Sequence, residues 1–380
     1  MNASLPLVQV LTDVLPSFRV QGKVEKVMPF GSGHIHDTFY VETQAATSPN
    51  YLLQRVNHHV FKDVPAVMAN IHLVTSHLKH ILATEPGADP EKEVLTLIST
   101  YQDQHFFQDH QGNFWRLYLF LENTRSYDLV RTRQQAYEGG RAYGRFQALL
   151  TGLPVDLLHE TIPAFHNVQS RLLLFQTALN TDAVGRVRCV AEEIAFVRER
   201  ATSMSRLLHL GQQQQLPVRI THNDTKFNNV LLDAADRAQC VIDLDTVMPG
   251  LVAYDFGDAV RTIVNAAAED EKDLNKISVN VELFEGFTTG YLQETNKFLT
   301  NNELNTLILG VTLLPFLMGL RFLTDYLDGD HYYKIGFQDH NLQRARAQFR
   351  LVQKLEEKQQ LLQNLIQEIA AACHSRALQK

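Results

Sequence analysis

The chain has 380 residues, 45% of them hydrophobic and 20% charged, the balance of a globular protein large enough for more than one core. That composition excludes a disordered chain, a collagen and a coiled-coil rod, and the net charge of -7 excludes a broad nucleic-acid surface, which needs clustered Lys and Arg. Three cysteines, Cys189, Cys240 and Cys373, lie far apart with no C-x-x-C pair, so no disulfide framework is expected and a reducing cytoplasm is the expected setting. The N-terminal MNASLPLVQVLTDVLPSF lacks the basic flank and long apolar core of a signal peptide.

Residues 23–28, 39–42 and 51–56 are short apolar or alternating runs bounded by Gly, Ser, Pro and Asn, the pattern of strands joined by turns. From 61 to 82 the apolar residues recur at helical spacing until Pro86-Gly87 breaks the run, and strands are expected again at 93–99 and 114–120. Beyond about residue 121 the pattern turns helical, with amphipathic stretches at 134–150, 190–210, 281–294, 304–327 and 342–371. The reading is therefore an α+β bilobal enzyme, with a β-rich nucleotide-binding lobe at 1–121 and a larger, mainly helical lobe at 122–380 that carries catalysis and acceptor binding. The apolar run 307–320 is interrupted by Gly310, Pro315 and Gly319 and falls short of the ~20 residues a bilayer requires, so it reads as a buried helix. The apolar stripe at 342–371 is expected to pack onto the helical lobe, a dimer seam being the other use of such a stripe.

Two segments carry chemistry. In the first lobe, PFGSGHIHDTFYV at 29–41 places Gly31, Ser32 and Gly33 in a turn between strands, where backbone N–H groups can approach phosphate oxygens. A protein kinase would put a phosphate-anchoring lysine on the third strand, paired with a helix glutamate. Here that strand reads YLLQRVN, so Gln54 or Arg55 must substitute, strand alternation allows only one of them to face the nucleotide, and the following helix has no glutamate.

The stretch THNDTKFNNVLLDAADRAQCVIDLD at 221–245 is more specific. It sets His222, Asp224 and Asn229 in the order H-x-D-x-x-x-x-N and ends an apolar strand in Asp243, the arrangement that phosphoryl transfer from a nucleotide requires. Asp224 suits the carboxylate that takes or orients the proton of the attacking hydroxyl, and Lys226 can neutralise charge on the transferred group. Asn229 and Asp243 suit Mg²⁺, while Asp245 is either a second ligand or a shaper of the loop. Asp255-Phe256-Gly257 looks like the kinase D-F-G, but it follows the Pro249-Gly250 turn. It reads instead as the opening of a helix, with Asp255 bonding back to the catalytic loop. The sixteen histidines, including His34 and His36, lack companions at zinc spacing and are not read as a transition-metal site.

HNDTKFNNVLLD, VIDLDTVMPG and YDFGDAVR resemble the motifs of the aminoglycoside phosphotransferase and choline kinase superfamily, whose fold is similar to that of protein kinases. Within it, GSGHIHDTF, LLQRVN, GLRFLTDYLDGD and HNLQRARAQF are similar to segments of the N-acetylhexosamine 1-kinase group, so the resemblance spans nearly the whole chain. It implies transfer of the γ-phosphate of ATP, with Mg²⁺, to the anomeric hydroxyl of GlcNAc or GalNAc. On that resemblance Asp224 is the base, Asn229 and Asp243 hold the metal, and the 31–37 loop covers phosphates and sugar, with Asp37 on sugar hydroxyls. Arg321, Asp325, Tyr332 and Tyr333 form the acceptor side. The residue types agree: a neutral sugar is held by arginine and carboxylate groups and an aromatic face, and Arg321 and Asp325 stand one helical turn apart. A cationic aminoglycoside would call for a larger cluster of carboxylates. The expected partners are a nucleotide and a small sugar, with no nucleic acid and no membrane, in a monomer or homodimer.

Overall fold

The computed structural model describes residues 10–31 and 35–377, so the expected phosphate contacts of Ser32 and Gly33 lie outside the described residues. The chain divides into two compact units. The first comprises Met1–Thr124 with Asp156–Ile162 and Gln239–Val247; the second comprises Arg125–Val155, Pro163–Ala238 and Met248–Lys380. The expected single break at 121/122 thus stands beside an observed division that returns two later segments to the first unit, one of them bearing Asp243 and Asp245.

The first unit is built on an antiparallel sheet. Strands β1 (Val24–Pro29), β2 (Asp37–Thr43), β3 (Tyr51–Val56) and β6 (Phe114–Leu119) pair in the order β1-β2-β3-β6, and β4 (Leu97–Ile98) and β5 (Phe107–Gln108) both pair with β6. Alternation sends Val27, Val41, Tyr51, Leu53, Trp115 and Leu117 into one core with Val14, Leu15 and Phe18. Helix α1 (Val64–Leu82) starts where Asp63 caps the Ala66 N–H at 3.0 Å and Pro65 occupies the first turn, and it buries Val64, Val67, Met68, Ile71, Val74 and Leu78. The strand expected over 93–99 is mostly something else. Pro90 and the Glu93 carboxylate, which accepts the Asp89 N–H at 2.8 Å, start the one-turn helix α2 (Pro90–Glu93), leaving only Leu97 and Ile98 to pair.

Two polar side chains tie the returning segments into this unit. Asn70, buried on α1, donates to the carbonyls of His159 (2.8 Å) and Val247 (2.9 Å) and accepts the His159 N–H at 2.9 Å. Arg116, buried on β6, donates through both terminal nitrogens to the Asp245 carboxylate, each at 2.6 Å. Both side chains are 2% exposed, so each charge depends on the other.

The second unit is mainly helical: α3 (Arg133–Leu149), α4 (Val168–Thr181), α5 (Ala191–Met204), α6 (Arg206–Gln212), α7 (Val252–Ile263), α8 (Val281–Thr295), α9 (Asn301–Asp328), α10 (His340–Glu357) and α11 (Gln359–Ala377). Of its short strands β7 (Arg219–Thr221), β8 (Val230–Leu232) and β10 (Met248–Gly250), β7 and β10 pair with each other and frame the catalytic segment; β9 (Ala238–Val241) falls mostly in the returning segment Gln239–Val247 of the first unit. Helix α9 is long and apolar enough to cross a membrane, but 83% of its most apolar stretch is buried, with Phe316, Leu320 and Leu323 packed against Phe175, Ile194 and Phe349. The C-terminal stripe, Leu342, Phe349, Val352, Leu355, Leu362 and Ile366, is buried within the chain, and the expected single helix is divided at Lys358 into α10 and α11.

Helices α7 and α9 approach through glycines. A Cβ at Gly257 would lie 2.2 Å from the Gly310 carbonyl oxygen, and one at Gly310 would lie 1.8 Å from that of Ala253. Gly257, last residue of the D-F-G look-alike, therefore serves helix packing. Gly310→Ala is expected to lower stability by about 1–3 kcal/mol through overpacking, measured by denaturant titration; an unchanged midpoint would contradict the crossing. Arg116→Met is expected to cost about 3–5 kcal/mol because it strands a buried carboxylate. Adding Asp245→Asn should recover much of that loss, and a double variant no more stable than the single one would refute the pairing as its cause.

Candidate active site

Strand register sends Gln54 and Arg55 to opposite faces of the sheet. Thr38, Gln54 and Arg116 are cross-strand partners on one face; Asp37, Arg55 and Trp115 are partners on the other. The Gln54 carbonyl oxygen accepts from Arg116 Nε at 2.9 Å and its amide donates to Thr38 at 3.1 Å, so Gln54 stands on the face that meets Asp245. Arg55 instead pairs with Asp37, Nε to Oδ2 at 2.8 Å, across β2 and β3. The expected nucleotide contact of Arg55 and sugar contact of Asp37 are placed together, each engaging the other's charge. Gly31 has φ +77, a left-handed turn with open space around it.

Asp243 lies just past β9 with φ 62 and ψ 57, a left-handed conformation that Asp tolerates better than most residues. The turn leaves Asp243 exposed while Leu244, Asp245, Thr246 and Val247 go inward. Thr161 Oγ1 holds the Asp245 carbonyl at 3.0 Å. Burial works against the Asp245 charge, yet Arg116 and His36 hold its carboxyl far below the usual carboxylate range.

His36, Asp243 and Asp245 each offer a ligand atom within 4.8 Å of the others. His36 Nδ1 accepts the Asn57 N–H at 3.0 Å, which places the ring proton on Nε2, 3.5 Å from Asp245 Oδ2. A protonated Nε2 is a donor to Asp245 and no metal ligand. Asp245 is taken up by Arg116, a pairing that shapes the loop after Asp243. Asp243 presents the exposed carboxylate of the three, a hard oxygen donor of the kind that suits Mg²⁺ better than a soft transition metal.

In the second unit the catalytic segment is clamped from below. Asp255, buried in the first turn of α7, accepts the N–H groups of His222 (2.8 Å) and Asn223 (2.7 Å) and the Gln147 amide (2.7 Å), and its own carbonyl accepts from Thr225 at 2.6 Å. Asp255 therefore opens a helix and bonds back to the loop, as the sequence predicts. Burial pushes its carboxyl upward against the pull of His222 and the loop N–H groups. Tyr143 donates to the Lys226 carbonyl at 2.6 Å. His166 Nε2 holds the Asn223 carbonyl at 3.0 Å, and burial brings this imidazole down to about 4, so it is a neutral donor at physiological pH. These supports hold Asn223 at φ +64 and aim the next residue outward.

That residue is Asp224. Its side chain is 24% exposed and lies 3.0 Å from Lys226 Nζ. Burial works to raise its carboxyl, but Lys226, His222 and Arg261 hold it below its ordinary value. Asn229 Nδ2 donates to the Asp224 carbonyl at 2.9 Å, which leaves Oδ1, the correct atom, for a cation. The loop thus assembles an ionised carboxylate, an ammonium and an amide oxygen.

Among the residues expected on the acceptor side, Arg321 has a half-buried side chain with the rings of Phe165, Tyr332 and Tyr333 at 5.2, 5.8 and 5.6 Å. Burial opposes its charge, while Tyr333, Tyr332 and Asp224 favour it, so Arg321 shares the electrostatic neighbourhood of Asp224. The expected role of Asp325 is corrected. Its carboxylate accepts the N–H groups of Tyr332 (2.8 Å) and Tyr333 (2.9 Å) and the Asn341 amide (2.8 Å), which engages both oxygens in holding the loop that carries the tyrosines. Arg116, Asn70 and Gln147 escape sequence reasoning, because their partners are remote in the chain.

Residues 26–277 match the phosphotransferase enzyme family, APH. Among solved structures, a microcompartment-associated aminopropanol kinase superposes with a TM-score of 0.64 at 17% identity, covering 92% of this chain and 97% of that one. An amicoumacin kinase in complex with AMP-PNP, Ca²⁺ and Ami gives 0.57 at 14% identity over 93% and 94% of the two chains. A choline kinase from Cryptosporidium parvum gives 0.55 at 14% over 88% and 89%. At these identities the likeness is one of fold: a mixed α+β, protein-kinase-like architecture with an antiparallel sheet in the N-terminal region and a mostly helical C-terminal part. With the family matched over more than half of its length, the chain belongs to the phosphotransferase enzyme family.

Proposed function

We propose that this phosphotransferase moves the γ-phosphate of ATP onto the anomeric hydroxyl of an N-acetylhexosamine, GlcNAc or GalNAc, giving the sugar 1-phosphate. The observation that carries the acceptor reading is Arg321, set among three aromatic rings in the field of Asp224, with no carboxylate at ion-pair distance among the described residues. A cationic amino alcohol or aminoglycoside would meet a like charge there. Of the other carboxylates in this unit, Asp258 and Glu269 pair with Arg261 at 2.9 and 3.1 Å, Asp258 keeping Oδ2 buried without a hydrogen-bond partner, and Asp270 pairs with His340 at 3.0 Å. A neutral sugar with an acyl oxygen suits an arginine beside aromatic faces.

Asp224, held ionised, accepts the hydrogen bond of the anomeric hydroxyl and orients its oxygen for attack. Lys226, at its side, offsets the charge of the transferred group. Gln54 and Gly31 are assigned to the nucleotide, Tyr333 to the sugar. Asp243 and Asn229 are assigned to Mg²⁺ on the motif and their donor atoms, and the ion when bound neutralises phosphate charge.

A phosphorylation screen over GlcNAc, GalNAc, glucose, choline, ethanolamine and kanamycin, with products mapped by ³¹P NMR, tests the reading. An anomeric phosphate on the N-acetylhexosamines is expected, and Asp224→Asn should lower that turnover by about 10² to 10⁴. Turnover of the amines alone would sink the sugar assignment. Lys226→Met should move the acid limb of the kcat/KM profile to higher pH. Asp224 is active when ionised, its carboxyl is held low chiefly by Lys226, and without the ammonium the upward push of burial prevails. A limb that stays in place means Asp224 is not the group that titrates.

A further inference from the structure

Arg171 on α4 has no part in the roles assigned so far. Its Nη2 donates to the Phe165 carbonyl at 3.0 Å, while its Nε is buried without a hydrogen-bond partner. Phe165 also lies under Arg321, ring centroid to guanidinium 5.2 Å, so one residue holds Arg171 by its backbone and Arg321 by its ring. The Tyr333 hydroxyl, on a ring 5.6 Å from Arg321, is likewise buried without a partner. No carboxylate lies at ion-pair distance from either arginine among the described residues.

Arg171 Nε and the Tyr333 hydroxyl are buried donors without a partner, and Arg321, whose Nη1 donates to Met318 Sδ at 3.7 Å, stands beside the Tyr333 ring, an incomplete arrangement. Burial lowers Arg171, and the charge of Arg321 lowers it further, so each arginine makes the other less comfortable. Buried donors left unsatisfied cost stability, and a planar oxygen acceptor meets a guanidinium fork in the geometry it prefers. A bare hydroxyl offers a weaker acceptor and no plane.

We propose that Arg171, Arg321 and the Tyr333 hydroxyl form a subsite for a planar C–O group on the acceptor, an acyl oxygen or a carboxylate. This rests on the sugar 1-kinase reading and narrows it, making N-acylated and carboxylated sugars the substrate class and plain hexoses poor acceptors. Arg171 is the residue that adds this selectivity.

The test compares wild type, Arg171→Met and Tyr333→Phe with GlcNAc, glucuronate and glucose, by kcat/KM and by ligand-induced shifts in Tm without nucleotide. Arg171→Met should weaken GlcNAc and glucuronate by about tenfold or more relative to glucose, with the loss mainly in KM. Tyr333→Phe, which removes only the hydroxyl, should shift the same ratio in the same direction. A parallel loss for all three sugars, or an unchanged ratio in both variants, overturns the subsite. If wild type uses no sugar at all, the sugar reading falls by itself and acetate decides the subsite. Acetate raising the Tm of wild type but not of Arg171→Met sustains it; an equal response in both removes it.

Discussion

The first unit depends on a single buried ion pair. Asp243 can present its carboxylate only if the chain just after it is anchored, and the anchor is Asp245 on Arg116, two hydrogen bonds of 2.6 Å with both groups almost wholly out of water. Around that pair everything else is auxiliary. Gln54 orients Arg116 from the next strand, Thr161 takes the Asp245 backbone, and Asn70 takes the carbonyl of Val247. A charge removed from this set leaves its partner buried and unpaired, which is far more costly than never having placed either charge there.

The second unit solves the same problem with hydrogen bonds to a buried carboxyl group, that of Asp255. Asp224 follows a residue in a left-handed conformation, and such a conformation persists only where its surroundings over-determine it. Asp255 supplies three of those constraints and His166 a fourth, one from the start of α7 and one from the segment before α4. The glycine two residues after Asp255 lets α7 press against α9, so the clamp is braced by backbone contact as well as side chains. Positioning and electrostatics are what phosphoryl transfer asks of a protein, and the loop has both.

How much of this could be read from the sequence follows from the distance over which each interaction acts. The segment 222–229 stands out as a motif because its polar residues are nearly consecutive, and Asp255 was legible because a turn before it and a helical run after it exclude a loop position. β3 is recovered at its full length, but which of Gln54 and Arg55 faces inward needed the register to β2 and β6. Arg116 was hidden for a different reason: it is a lone charge in an otherwise apolar strand, and its partner is 129 residues away. Asp325 misled, since an Arg and an Asp one turn apart suggest a pair, whereas the backbone N–H groups of Tyr332 and Tyr333 compete for the carboxylate and win. Helix α4 went unread because its leucines form no clean stripe, with Leu173 and Leu174 facing out.

The buried Arg116–Asp245 pair differs from the protein-kinase Lys–Glu pair in where its members sit, and the difference has a consequence for control. A pair whose acidic member rides on a movable helix can be made and broken, which is how protein kinases gate activity. Here both members avoid the helix: Arg116 is in the middle of a sheet strand and Asp245 in the segment that follows Asp243. Helix α1 contributes Asn70, which bonds to backbone carbonyls and would have to lose three buried hydrogen bonds to move. A chain built this way holds the segment that carries Asp243 in place whether or not a substrate has arrived.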